Sequence, residues 1–137
     1  MSFVFDASAI FEAIVKRNVG ILSDQFTIEL AKYELGNVLW KRRVLVGDIS
    51  DKEYLRLGKV IKRVLKLMSI ISIDCHEDEV LRIAKELRIT FYDASYVYVA
   101  KSKNLPLITQ DKELIRKANK TITVMRLEDI GKHYNKI

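Results

Sequence analysis

Cysteine occurs once in this sequence, at Cys75, proline and tryptophan once each, and histidine twice, at His76 and His133. One cysteine makes no internal disulfide, and one Cys with two His does not fill the ligand set of a structural zinc site. A reducing compartment is expected. Five glycines and a single proline exclude collagen-like repeats, proline-rich linkers and low-complexity tracts. Long apolar stretches are also missing. The longest uncharged apolar run, Leu67 to Ile73, is too short to span a bilayer, and the first residues reach Asp6 without the basic and apolar segments of a leader. These absences predict a cytoplasmic protein with no membrane association. What the chain has is 49% hydrophobic and 31% charged residues, the composition of a chain that folds, and its 137 residues fit one domain, 1–137. Lys plus Arg number 24 against 18 Asp plus Glu, and the resulting charge of +6 favours a polyanionic or an acidic partner.

The hydrophobic pattern alternates between strand and helix. Phe3-Val4-Phe5 is a short apolar run ended by Asp6-Ala7-Ser8, after which Ile10, Phe11, Ile14 and Val15 recur at helical spacing. From Ile28 to about Val44, the positions of Ala31, Leu35, Val38 and Leu39 predict a second helix, with Glu34, Asn37 and Lys41 in a stripe beside its apolar face. Ser50 is placed to cap a third, whose inner face is Leu57, Val60, Ile61, Val64, Leu65 and Met68. Ile70 to Ile73 reads as a buried strand, Glu77–Leu87 as a helix, and Tyr92-Asp93-Ala94-Ser95 as the opening of another. Pro106 to Thr109, a helix from Lys112 to about Asn119, a strand over 121–125 and a turn or helix from Leu127 complete the chain. Strands separated by helices predict the α/β class, a three-layer α/β/α sandwich around a central parallel sheet of four to five strands.

In such sheets ligands bind beyond the carboxyl ends of the strands. Asp6 and Asp111 are expected at strand ends, Asp93 at a helix N-terminus, and Glu34 at a helix boundary from which it reaches the same edge. Two unit charges ~4 Å apart at an effective dielectric of about 20 repel by roughly 4 kcal/mol, so converging acids require either protonation or a cation. With oxygen ligands and no nearby His or Cys, a hard ion such as Mg²⁺ or Mn²⁺ is favoured, which acidifies water and shields charge growing on a phosphodiester. That chemistry is a nuclease's.

Each acid singly has a plainer reading as a helix cap or a solvated charge, and it is their joint placement that argues for a site. His76 and His133 are expected as surface or capping residues, Cys75 as an inert core thiol, and Tyr92, Tyr96 and Tyr98 as packing or helix-surface groups. Ser8 lacks the Gly-x-Ser-x-Gly setting of a serine nucleophile. Arg56, Lys59, Arg63 and Lys66 form one stripe on the third helix, and Lys41-Arg42-Arg43 lies on the one before. This basic face is either a solvated surface or a contact for RNA phosphates or for a protein partner.

Four segments together resemble the PIN domain family, particularly the small VapC-type toxins of VapBC toxin–antitoxin systems. Phe5-Asp6-Ala7-Ser8-Ala9 is similar to the family's opening motif, and Tyr33-Glu34-Leu35-Gly36-Asn37-Val38-Leu39 to its second, around a Glu. Tyr92-Asp93-Ala94 begins the third, and Leu107-Ile108-Thr109-Gln110-Asp111-Lys112-Glu113-Leu114 resembles the last. The resemblance spans nearly the whole chain and implies a PIN-like nuclease domain, a metal-dependent ribonuclease. In it Asp6, Glu34, Asp93 and Asp111 hold one or two Mg²⁺ or Mn²⁺ ions, while Ser8 and Thr109, with Asn37, orient them. It further implies a homodimer and a cognate antitoxin whose C-terminal segment occludes the site.

The expected activity is endonucleolytic hydrolysis of RNA, with a preference for single strands. Two readings compete with a toxin's role. One is a free-standing PIN nuclease of RNA processing, which shares the same four acids. The other is a non-catalytic module that keeps the fold, uses its acids as caps and docks RNA or protein on its basic face.

Overall fold

The computed structural model describes residues 1–134, the last three by backbone only. Phe3, Val4 and Phe5 are buried, with Val4–Phe5 forming β1. Their alternation divides the molecule: Phe3 and Phe5 enter one core while Val4 enters the other, as the two-residue period of a strand requires. Helix α1 (Ala7–Val15) follows, then a 3₁₀ turn at Val19–Leu22, β2 (Phe26–Ile28) and α2 (Leu30–Trp40). A segment of wider π-type turns, Lys41–Val46, continues α2 and ends at Gly47, whose φ of 74° is left-handed. Then come α3 (Asp51–Leu67), β3 (Ser69–Ile71), α4 (Glu77–Leu87), α5 (Phe91–Lys103) and β4 (Leu107–Ile108). Helix α6 (Lys112–Ala118), β5 (Val124–Met125) and α7 (Asp129–Tyr134) complete the described chain.

The five strands are parallel and ordered β3-β2-β1-β4-β5. Helices α1, α2 and α3 cover one face, where Ile10, Leu35, Leu57 and Val64 meet Phe5 and Ile108. Helices α4, α5 and α6 cover the other, where Val80, Val97 and Leu114 meet Val4 and Leu107. The three-layer α/β/α sandwich expected from the alternation is therefore present, with five strands. The chain builds outward from β1 to β3, then crosses to β4 on the opposite side of β1. The crevice between β1 and β4 is the topological switch point, where diverging connections leave room for a ligand.

Several boundaries depart from the sequence reading. The strand β2 was hidden because Ile28 also fits the helical period of Ala31 and Leu35; pairing on both sides, with β1 and β3, decides its conformation. Helix α2 accordingly starts at Leu30. The run around Ile70 is an edge strand, with Ile70 and Ile71 only half-buried, because no strand among the described residues pairs with its outer side. Beyond it the chain turns back, and Cys75, with a φ of 71°, is exposed rather than a core thiol. His76 precedes α4 on the surface and stacks on Tyr98, with ring centroids 5.3 Å apart. The His133 side chain lies outside the described residues.

Candidate active site

The β1–β4 register pairs Phe5 with Ile108, and the Asp6 N–H extends the ladder by donating to the Ile108 carbonyl at 3.0 Å. Asp6 and Thr109 are thus the next residues on two neighbouring strands, one step past the sheet. Register alone brings them together. The Thr109 hydroxyl donates to Asp6 Oδ2 at 2.5 Å, and the Ser8 hydroxyl donates to Oδ1 at 2.6 Å. The Ala9 N–H donates to the same Oδ1 at 3.0 Å, so Asp6 caps α1 as well. Ser8 also accepts the Gln110 N–H at 2.9 Å, and Thr109 accepts that of Asp111 at 3.1 Å. Two hydroxyls therefore tie the loops after β1 and β4 to one carboxylate. Three of its roughly four lone-pair directions are used, leaving one on Oδ2.

Asp6 is 6% exposed. Burial pushes its pKa up to about 6 against the pull of Ser8, Thr109 and Ala9, and the charge of Glu34 pushes the same way. Glu34 lies in the second turn of α2, not at the helix boundary expected for it, and turns its half-buried side chain inward. The buried Tyr96 hydroxyl, from α5, donates to Glu34 Oε1 at 2.7 Å. Desolvation raises the pKa of Glu34, this hydrogen bond opposes the rise, and the charge of Asp93 adds to it.

Asp93 stands in the first turn of α5, which Thr90 caps by accepting the Asp93 N–H at 3.0 Å. Its pKa is also raised, by desolvation first and then by Asp111, with Thr90 and Lys117 opposing. Asp111 caps α6 through the N–H groups of Glu113 and Leu114, at 2.9 and 3.2 Å. Each acid therefore acts on the next, from Asp6 to Glu34 to Asp93 to Asp111, along the carboxyl edge of the sheet. Among the described residues, no three His, Cys, Asp or Glu side chains close on a common point as ligands of one ion. The four acids are gathered but not caged, and two of them, Asp6 and Asp111, are helix caps as well.

The profile described as PIN domain matches residues 3–120, a stretch that includes all four acids. The chain belongs to the PIN domain family. It is 37% identical over 129 residues to "Exonuclease VapC9" of Pyrobaculum aerophilum, covering 93% of each chain. It is 30% identical over 133 residues to "Ribonuclease VapC3" of the same organism, covering 90% of this chain and 99% of that one. The solved structure of PAE2754 from Pyrobaculum aerophilum superposes with a TM-score of 0.82 at 32% identity, over 100% of this chain and 97% of the other.

In this PIN domain the seven cations singled out from the sequence are either paired with other carboxylates or exposed. Arg42 pairs with Asp48 at 2.9 Å, Arg43 with Asp51 at 2.6 Å, and Arg56 with Glu53. Lys41, Lys59, Arg63 and Lys66 are exposed. The charge of Lys117 opposes the rise at Asp93, and the same ammonium pairs with Glu113 at 3.4 Å and donates to the Arg88 carbonyl at 2.9 Å. Sequence reading missed it, having assigned α6 no role beyond its cap. It also missed Tyr96 as the partner of Glu34, since a tyrosine in a helix of small apolar residues reads as packing. Asn37 is exposed one turn beyond Glu34.

Proposed function

We propose that this chain is a metal-dependent endoribonuclease, the toxin of a VapBC-type pair, acting on cytoplasmic RNA. The observation that supports it most is Asp6. It is a buried carboxylate at the topological switch point, its pKa raised by burial and by the charge of a second acid, Glu34. An all-oxygen donor set of this kind suits Mg²⁺ or Mn²⁺. Asp6, Glu34, Asp93 and Asp111 would hold one or two such ions, which when bound supply charge neutralisation on the phosphodiester and acidify water. Ser8 and Thr109 fix Asp6, Tyr96 fixes Glu34, and the N-termini of α1, α5 and α6 favour negative charge at the same edge.

The protein partners follow from the family and from the surface. Trp40, Val44, Leu45 and Val46 are large apolar residues exposed together around the end of α2, the kind of patch a partner covers. A homodimer and an antitoxin are the partners proposed. A non-catalytic reading draws support from the capping roles of Asp6 and Asp111, and it predicts no response to metal.

The decisive experiment uses a circular single-stranded RNA with Mn²⁺, with and without chelator. An endonuclease linearises it only when metal is free, an exonuclease leaves the circle intact but degrades the linear form, and an inert module does neither. Only the first result upholds the proposal in full.

Two further outcomes are expected. Tyr96→Phe folds normally but weakens Mn²⁺ binding or metal-dependent cleavage by about 10–100-fold, the usual effect of removing a group that orients a ligand; an unchanged metal titration would reduce Tyr96 to packing. Replacing Lys59, Arg63 and Lys66 together by Glu leaves the fold intact, because all three are exposed. If they contact phosphates, binding of single-stranded RNA loses about 0.7 of log–log salt slope per contact removed; an unaltered slope makes them a solvated face.

A further inference from the structure

Beside the acids, along the same carboxyl edge, the sheet carries a concavity of ≈ 470 Å³. It lies where β2 and β3 end. Its walls are Ile28, Leu30, Ile71, Ile73 and Phe91, with Tyr92 at the mouth, 62% exposed. Two segments of the candidate active site also form this wall. Tyr92 directly precedes Asp93 in the first turn of α5, and Leu30 stands about one helical turn before Glu34 on α2.

We infer that this cleft is a nucleobase subsite, taking the base of a nucleotide next to the phosphate held at the acids; the inference rests on the ribonuclease reading above. The lining chooses between the parts of a nucleotide. Its charged side chains are Glu29 and Asp74, which repel a phosphate, while flat apolar walls and an exposed phenol ring suit a base. A cleft of this size lies within the range of small-ligand sites.

The polar groups at the rim also favour some bases over others. Ionised Glu29 and Asp74 only accept hydrogen bonds. Glu29 shares its carboxylate with Lys32 at 3.1 Å, whereas Asp74 is exposed beside Ser72, whose hydroxyl accepts the Asp74 N–H at 3.0 Å. The Ser95 hydroxyl is already committed to the Phe91 carbonyl at 2.9 Å. A base bearing an exocyclic amine, such as adenine or cytosine, supplies donors to these acceptors. Uracil has no such amine.

The test measures Mn²⁺-dependent cleavage of single-stranded RNA oligomers in which each nucleotide flanking the cut is in turn adenosine, uridine or abasic. For wild type, loss of the base on one flank lowers kcat/KM about ten-fold, and loss on the other has little effect. Tyr92→Ala, at an exposed position that tolerates truncation, lowers kcat/KM on the intact oligomer about ten-fold, mainly through KM, and leaves the abasic oligomer unchanged. Asp74→Asn narrows the preference for adenosine over uridine. Equal slowing of intact and abasic oligomers by Tyr92→Ala, or no slowing of either, overturns the subsite while the nuclease stands. Failure of wild type to cut any oligomer overturns the ribonuclease reading, and the subsite with it.

Discussion

Asp6→Asn is expected to abolish Mn²⁺-dependent RNA cleavage while making the metal-free protein more stable. The substitution keeps the shape of the side chain. Asparagine's carbonyl oxygen still accepts from Ser8 and Ala9, and its amide nitrogen donates to Thr109, which already accepts the Asp111 N–H. What is removed is a charge that burial disfavours. In the native state Asp6 holds its proton up to about pH 6, against 3.8 for an unperturbed carboxyl. The native state therefore binds more protons than the unfolded chain across that window, and wild-type stability falls as pH rises through it. The raised values of Glu34 and Asp93 act with the same sign.

For Asp6 alone the loss is on the order of 2–3 kcal/mol above pH 6, at about 1.4 kcal/mol for each tenfold. Asp6→Asn escapes it, so denaturant midpoints of the two proteins should diverge between pH 4 and 7 and nearly coincide below. Equal stability at pH 7 would mean that Asp6 is not held at a cost. Retained cleavage would place the chemistry elsewhere. The pairing of lost activity with gained stability is the mark of a residue kept for function.

The second large effect is the response to metal. Wild type in Mn²⁺ at about 100 Kd should gain roughly 2.7 kcal/mol, which for a chain of this size is a rise in Tm of about 10 °C. The rise grows from pH 5 to pH 7.5, because a cation competes with protons for Asp6, Glu34 and Asp93, all of which hold them more tightly than usual. Asp6→Asn shows little of it. Scanning calorimetry with and without metal, at two pH values, separates this behaviour from the non-catalytic reading, in which Asp6 and Asp111 serve only as helix caps. An ion that fails to move Tm at either pH would remove the reason for gathering these acids.

The places of the acids in the fold were more legible than the boundaries of the elements that carry them. Asp6 announced itself because a carboxylate directly after a short apolar run has few places to go except the end of a strand, whereas Asp111, expected at a strand end, stands three residues past β4 as the cap of α6. Ser50 did the same for α3, where it accepts the Glu53 N–H at 3.1 Å. Phe26-Thr27-Ile28 was not legible as a strand, since three residues carry too little periodicity and the pairing that settles them comes from β1 and β3. Cys75 was misplaced for a related reason. Its burial depended on whether β3 lies at the centre or the edge of the sheet, and no local pattern states strand order.

Tyr96 and Lys117 show the same limit within the site. Tyr96 lies 62 residues from Glu34 in sequence, and only the packing of α5 against the sheet brings its hydroxyl to that carboxylate. The charge of Lys117 acts on Asp93 because α6 follows β4 across the switch point. Local sequence was enough for the alternation of strands and helices, the types of the four acids and the caps at Asp6, Ser50 and Asp111, because these depend on neighbours within a turn or two of chain, though not for the cap of α5, where Thr90 caps and Asp93 lies in the first turn. The tertiary structure decided the order of the strands and which carboxylate is buried. It also decided which groups hold each acid and the cleft beside them, because all of these depend on contacts between residues that only the closed sheet makes neighbours.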